Sequence, residues 1–375
     1  MQLAYFVYDL NDPAVRRRVS MFHAAGVRVQ LIGFHRHKAP PSAIDGAPVF
    51  DLGETFDGRL GHRTLSVVKT LLRAGPLVEL CRSVDLIMAR NLEMLAIATR
   101  VRSALAGRPR LVYECLDVHR SLLSDGAPSK VLRGLERWLT RGVSTLVVSS
   151  PAFARCYFEA RQNVRLPTLL VENKVLDLVE PPAPRPRLER APGPVWRIGW
   201  FGMIRCRRSL RILIAFTEAM DGRVEVVIRG RPAYTEFEDF DAQVASAPHV
   251  RFEGPYQPED LRAHYGEVHF TWAIDYFEEG LNSAWLLPNR LYEGDWFGAV
   301  PLALAEVETG AWLKAYGAGV LLTDPETELK PLFDALTAAE YARLGASVHA
   351  IPDDALRTDP AACRDLVASL TREAA

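Results

Sequence analysis

The sequence predicts an α/β protein of two Rossmann-like, doubly wound domains in series, with a ligand cleft between them. Three observations predict it. Short apolar runs alternate with longer helical patterns from the first residues onward, which argues for parallel sheets covered on both faces. The alternation stops once, in a proline-rich stretch, and then restarts. At 375 residues the chain has room for two domains of ordinary size.

Residues 3–7 (Leu-Ala-Tyr-Phe-Val) read as the first strand, with no basic region or cleavage site ahead of them to mark a signal peptide. Residues 27–34, 85–89, 110–114 and 145–149 read as further strands. Helical periodicity covers 14–25, 65–82, 94–106, 130–141 and 151–160. Proline fixes φ and removes backbone donors, so residues 181–194 read as an interdomain linker. Strands resume at 196–201, 224–228, 250–252, 269–273, 299–304 and 319–322, with a helix from Ser209 and two late helices near 329–344 and 361–372. The expected division is residues 1–180, the linker 181–194, 195–350, and a terminal segment 351–375 whose helix packs back on the first domain. No short-period repeat is visible.

Lysine and arginine number 45 against 46 acids, so the net charge of −1 offers no electrostatic case for nucleic acid. The five cysteines are scattered and lack metal-ligand or redox spacing, which fits a reducing cytoplasm. No apolar run approaches the roughly 20 residues that span a bilayer. A soluble or at most peripheral protein is expected.

The richest segment is residues 282–301, where Asn289, Arg290 and Glu293 fall within about one helical turn. If residues 286–288 lead into a helix, its first turn offers free N–H groups to an anion. Arg290 adds a fixed charge, and Glu293 on the same face can accept hydrogen bonds from a sugar diol. The plain alternative is an amphipathic helix capped by Asn289. Gly202 follows a strand, where a small residue lets the backbone approach a phosphate. Arg205, Arg207 and Arg208 come next, and read either as phosphate ligands or as a solvated basic loop. Arg229 and Arg231 flank Gly230 after the following strand, with surface charge and ligand contact equally open.

Asp117 and His119 follow the strand 110–114, where either could take a proton from an acceptor hydroxyl. Alternatively, Asp117 caps the next helix. Asp9, Asn11 and Asp12, and Arg90 with Asn91, end other strands on the same side, as cleft residues or as ordinary turn formers. Asp239-Phe-Asp241 has the form of an Asp-x-Asp metal motif but sits in an acidic, loop-like stretch, and no metal site is read there. Lys130, Arg133, Arg137 and Arg141 recur at helical spacing, with Leu132, Leu135, Trp138 and Leu139 on the opposite side. That pattern suits either an anionic membrane surface or a core helix with a charged outer face.

Read in order, five segments resemble the bacterial GT-B glycosyltransferases, close to the family 4-like group that builds exopolysaccharides. They are residues 9–18, 145–153, 170–175, 198–208 and 288–293, and the resemblance covers nearly the whole chain. It implies a hexosyl transfer from a nucleotide sugar, UDP-linked, to a growing saccharide or one carried on a polyprenyl diphosphate. It implies no cofactor and no metal. Donor contacts then fall on Gly202, Arg205, Arg207, Arg208, Asn289, Arg290 and Glu293, with Tyr256 at the base. The acceptor falls to the N-terminal domain, to Asp9, Asn11, Arg90 and Asn91, with Asp117 and His119 as catalytic candidates. A cytoplasmic protein, peripheral on the inner membrane, is the implied location. The chain departs from the pattern in two places. Many retaining members carry a second glutamate eight positions before the one matched by Glu293, and here that position is Trp285. Glu278 or Glu279 could supply the missing carboxylate. The first loop also lacks the usual glycine pair. Other readings on the same fold are a nucleotide-sugar epimerase and a non-catalytic nucleotide-sugar-binding scaffold. No G-x-G-x-x-G or G-x-x-x-x-G-K-[ST] supports a dehydrogenase or a triphosphatase.

Overall fold

The computed structural model describes residues 1–36, 38–55, 60–188, 190–193 and 195–372. Glu189 and Pro194 of the expected linker, and residues 373–375 of the terminal segment, lie outside the described residues. The chain forms two compact units, one of residues 1–172, 176–182 and 359–375, the other of 173–175 and 183–358.

Unit 1 holds β1 (Gln2–Val7), β2 (Arg28–His35), β3 (Ala43–Ile44), β4 (Ala47–Glu54), β5 (Leu86–Arg90), β6 (Arg110–Cys115), β7 (Thr145–Val148) and β8 (Thr168–Leu170). The sheet order is β3-β4-β2-β1-β5-β6-β7-β8. All pairings are parallel except the short β3–β4 hairpin, and Leu3 lies opposite Val29 on one side and Leu86 on the other. Leu3 to Val7 are fully buried, as a strand covered on both faces requires. The helices are α1 (Pro13–Ala24), α2 (Leu60–Leu72), α3 (Gly75–Leu80), α4 (Leu92–Ala104), α5 (Arg120–Leu123) and α6 (Ala127–Thr140), then a π-helical turn, Phe153–Arg161. A short strand, β9 (Val175–Leu176), follows.

Unit 2 carries a six-stranded, all-parallel sheet: β10 (Trp196–Ile204), β11 (Val224–Pro232), β12 (Val250–Phe252), β13 (Phe270–Trp272), β14 (Val300–Leu304) and β15 (Val320–Leu322), in the order β12-β11-β10-β13-β14-β15. Its helices are α7 (Arg207–Met220), α8 (Phe240–Ser246), α9 (Leu261–Gly266), α10 (Asn282–Trp285), α11 (Asn289–Trp296), α12 (Glu308–Tyr316), α13 (Pro325–Ala335), α14 (Ala338–His349) and α15 (Asp353–Leu356). The last helix, α16 (Pro360–Thr371), packs on α1 within unit 1 and is capped by Asp359, which accepts from the Ala362 N–H at 2.8 Å.

Several elements differ from the sequence expectation. The single helix over 65–82 is two, because Gly75-Pro76 opens α3 and Pro76 cannot continue α2. The helix over 329–344 is likewise two, with Thr337 capping α14 by accepting from the Glu340 N–H at 3.1 Å. Strand β4, flanked on its outer side only by the two-residue β3, and the edge strand β8 carry no strong apolar pattern, since strands at a sheet margin are half exposed. From Ala183 onward, the described residues of the proline-rich stretch belong to unit 2. Arg185 donates to the carbonyls of Asp295, Trp296 (3.2 Å), Val348 (3.0 Å) and Ile351 (3.1 Å), and Arg190 to those of Tyr265 (2.8 Å), Phe297 (2.6 Å) and Gly298 (3.1 Å). Prolines bar these residues from a ladder, but guanidinium forks can satisfy the orphan carbonyls at helix ends.

Candidate functional site

In unit 2 the strand order reverses at β10, which pairs with β11 on one side and β13 on the other. Ligands of doubly wound sheets bind outside the carboxyl ends of the strands at such a point. Gly202 and Gly230 stand opposite each other there. Gly202 has φ +110° and Gly230 φ +137°, a region side chains rarely enter. A Cβ on Gly230 would meet the Gly202 carbonyl oxygen at 1.8 Å. Both positions therefore require glycine.

Three arginines follow Gly202, and they separate. α7 begins at Arg207 rather than Ser209, because the Cys206 sulfur caps it by accepting from the Ser209 N–H at 3.3 Å. Arg207 is exposed and donates to the Glu236 carbonyl. Arg205 and Arg208 instead face the loop after β13. Arg205 pairs with Asp275 at 3.5 Å and lies 4.6 Å over the Phe277 ring. Arg208 pairs with Glu279 at 2.8 Å and Glu326 at 3.3 Å, and lies 4.2 Å over Tyr276. Of residues 275–279, which meet these arginines, the sequence reading named only Glu278 and Glu279 as candidates. Their signal is position: they follow the strand beside the switch point.

The predicted helix at Asn289 exists as α11, but Asn289 is its first residue and not its cap. Pro288 holds the cap position with no side-chain hydrogen bond, so the Asn289 and Arg290 N–H groups open the helix. Arg290 is buried, and its Nη2 donates to the Ile274 carbonyl at 3.0 Å while its Nε has no partner. Burial lowers its pKa, the nearby Asp275 carboxylate opposes this, and Arg205 adds to it. A buried guanidinium with an unpartnered Nε favours an anion. One turn on, Glu293 accepts from the Tyr265 hydroxyl at 3.1 Å. Tyr256 packs against Phe201 and His264, and burial together with the Glu293 carboxylate pushes its pKa up. Arg290, Glu293, Tyr256 and Tyr265 thus form one cluster. On the buried side of α11, Asp295 is fully enclosed with neither oxygen bonded; burial pushes its carboxyl pKa up, and the Arg185 guanidinium opposes that.

Arg229 has its side chain turned into the unit, within 3.5 Å of Glu253 and 3.3 Å of Glu267, whereas Arg231 is exposed. Asp239 is the cap of α8, accepting from the Ala242 N–H at 2.9 Å, and Asp241 lies in that helix's first turn. The stretch read as an acidic loop therefore contains a helix start. Among the described residues no group of three or more histidine, cysteine, aspartate or glutamate side chains is arranged to hold a metal.

In unit 1 the switch point lies between β1 and β5, and it gathers Asp9, Asn11, Arg90, Asn91, Asp117 and His119 at one end of the sheet. Asp9 accepts from the Asn11 N–H at 3.0 Å, and the Asn11 amide donates to the Lys38 carbonyl at 2.7 Å. These bonds build the β1–α1 loop. Burial raises the pKa of Asp9. Asn91 adopts φ +71°, which asparagine tolerates better than most residues. Arg90 is not turned toward a ligand. It is buried, donating from Nε to Glu114 at 2.7 Å and from Nη2 to the Ala14 carbonyl at 3.2 Å, with Asp12 at 3.3 Å. Asp117 and His119 are both exposed. His119, not Asp117, caps the short helix α5, its Nδ1 accepting from the Ser121 N–H at 3.2 Å.

No family model matches the sequence. The succinoglycan biosynthesis protein ExoL of Rhizobium meliloti (strain 1021) is 47% identical over 347 residues, 91% of this chain and 86% of that protein. Among solved structures, Anabaena HepE in complex with UDP matches with a TM-score of 0.70 at 15% identity, over 98% of both chains. Sucrose-phosphate synthase of Thermosynechococcus elongatus matches at 0.74 and 13% identity, over 99% of this chain and 98% of that one. WaaG, a glycosyltransferase involved in lipopolysaccharide biosynthesis, matches at 0.62 and 12% identity, over 97% and 99%. The shared fold is GT-B, two Rossmann-like domains.

Proposed function

The chain belongs to the ExoL family of succinoglycan biosynthesis proteins, and from that premise we infer that it transfers a hexosyl group from a UDP-sugar to a lipid-linked or growing saccharide in exopolysaccharide assembly. The observation that carries this is the set of guanidiniums and helix N-termini gathered at the switch point of unit 2. There Gly202, the opening residues of α7 and α11, and the guanidiniums of Arg205, Arg208 and Arg290 surround the carboxyl end of the sheet at its switch point. HepE, of the same fold, is seen with UDP and with UDP-glucose. A diphosphate seated on these guanidiniums and helix N-termini would have its leaving-group charge stabilised by fixed cations, with no metal and no further cofactor required of the protein. Glu293, one turn along α11, would accept from the ribose diol, and Tyr256 would lie toward the base. In unit 1, Asp9, Asn11 and Asn91 would meet the acceptor, while Arg90 would act only by positioning them. In an inverting transfer Asp117 would take the acceptor proton, because its carboxylate is exposed at the carboxyl end of β6. A polyprenyl-diphosphate carrier would place the protein peripherally on the cytoplasmic face of the inner membrane.

The test is calorimetric titration with UDP, GDP and their sugars in EDTA. Wild type is expected to bind UDP selectively. Glu293→Ala is expected to weaken that binding by about 1–3 kcal/mol, the cost of a hydrogen bond to a charged group; unchanged affinity would take Glu293 out of ribose recognition. Asp117→Asn is expected to lower turnover about 100-fold, a typical loss for a general base, with UDP affinity unchanged. Full activity in that variant would remove Asp117 from the chemistry.

A further inference from the structure

α6 is built inside out. Its buried residues include Ser129, Arg133, Glu136 and Thr140. Glu136 accepts from the hydroxyls of Tyr113 (2.7 Å) and Tyr157 and from the Gln162 amide, and Arg133 donates to the carbonyls of Leu122 (2.8 Å) and Ser124 (2.7 Å). With the polar side so engaged, the apolar side faces out. Val131, Leu135 and Trp138, at spacings of four and three, are 70%, 41% and 58% exposed. The sequence alternative of a core helix with a charged outer face does not describe this: Arg133 and Glu136 are buried, and Leu135 and Trp138 are not.

α2 repeats the arrangement. Leu65, Val68 and Leu72, at spacings of three and four, are 66%, 42% and 82% exposed. Both helices pack against α4. With right-handed crossovers, the connections β4→β5, β5→β6 and β6→β7 put α2, α4 and α6 on one side of the sheet. Exposed cations border both stripes: Lys69 and Arg73 at α2, and Lys130, Arg137 and Arg141 at α6. α2 contains no acidic residue, and Glu136, the one acid in α6, is buried.

We infer that this face of unit 1 docks on an anionic lipid surface, with Val131, Leu135, Trp138, Leu65, Val68 and Leu72 entering the interface and the flanking lysines and arginines meeting the headgroups. This deepens the peripheral location in the proposed function by naming the face and the lipid charge. Two apolar stripes on helices that flank α4, with a tryptophan and a cationic border, match an interfacial contact. A second copy of the chain fits worse, because a two-fold contact would bring Arg137, Arg141 and Lys130 against their own equivalents.

The test is flotation of the full chain with phosphatidylglycerol-rich vesicles and with pure phosphatidylcholine vesicles. Wild type is expected to float with the first and far less with the second. The pairs Leu135→Glu with Trp138→Glu, and Leu65→Glu with Leu72→Glu, are each expected to cut partitioning about tenfold or more, as lost apolar insertion predicts. Val179→Glu, an exposed apolar position on neither helix, should change nothing. Because the substituted residues are already exposed, melting temperature should hold in every variant. UDP affinity measured without vesicles should also hold, so failure of the lipid contact is separable from failure of the donor reading. Wild type that does not float, or paired variants that float like wild type, would overturn the inference. So would a wild-type dimer that Leu135→Glu with Trp138→Glu makes monomeric without any vesicle binding, since a second copy would then cover the face.

Discussion

Glu114→Gln is expected to destabilise unit 1 by about 3–5 kcal/mol, the usual cost of leaving a buried ion-pair partner uncompensated. Glu114 is wholly buried at the end of β6. It accepts from Arg18 Nε at 2.7 Å, from Arg90 Nε at 2.7 Å and from the Tyr5 hydroxyl. The guanidinium side chains are only 6% and 5% exposed, so neither can turn to water when the carboxylate goes. Urea denaturation should show a lower midpoint with an unchanged slope, as expected for lost stability without a changed denatured state. The pH dependence follows the sign of the shift. Burial alone would raise the Glu114 carboxyl, but Arg90, Arg18 and Tyr5 outweigh it and hold the carboxyl at about 2. A depressed pKa contributes stability that is fully present above the unfolded value, 4.5, and is lost as pH falls toward about 2. Glu114→Gln should remove that slope. A variant as stable as wild type, with the acid slope intact, would mean that the network contributes nothing net. Replacing Glu114, Arg18 and Arg90 together by apolar residues should recover much of the loss, since such groups are often neutral against a packed hydrophobic set.

Arg205→Ala and Arg208→Ala are each expected to lower turnover by about 100- to 1000-fold, the range seen when one preorganised donor to a developing charge is removed. UDP affinity should fall much less, because the charge that these groups meet grows mainly as the donor bond breaks. Arg208 is already held by Glu279 and Glu326 and stacked on Tyr276, and Arg205 by Asp275 and Phe277. Their positions are therefore set before a ligand arrives, so little reorganisation is needed. Arg208→Lys should restore little, because an ammonium cannot reproduce a guanidinium stacked on one side and forked on the other. Steady-state transfer from whichever UDP-sugar the titration selects, beside calorimetry on the same variants, separates the two effects. Wild-type turnover in both would put the phosphates elsewhere.

Strand–helix alternation, the single proline-rich break and five ordered segments were enough to set out the fold, because hydrophobic period and breaker residues act over a few positions. The places of Gly202, Arg290 and Glu293 in the fold were legible for the same reason: each belongs to a local pattern of strand end or helix turn. What the sequence could not decide depended on which side of an element faced its neighbours. Arg90 ends a strand at the expected place, yet its guanidinium turns inward because Glu114 lies beside it on the adjacent strand, 24 residues away. Arg205 and Arg208 find their carboxylates about 70 residues on, in a loop that no short-range pattern marked. Helix α6 has the composition of a core helix, and periodicity gives it two faces without saying which is inside. Tyr113, Tyr157 and Gln162 settle that by bonding to Glu136, which turns Leu135 and Trp138 outward. The sequence by itself determined the elements, their order and the chemistry available at strand ends. The tertiary structure decided which groups are neutralised by a distant partner and which remain to meet a ligand, because those pairings form only when the sheets assemble.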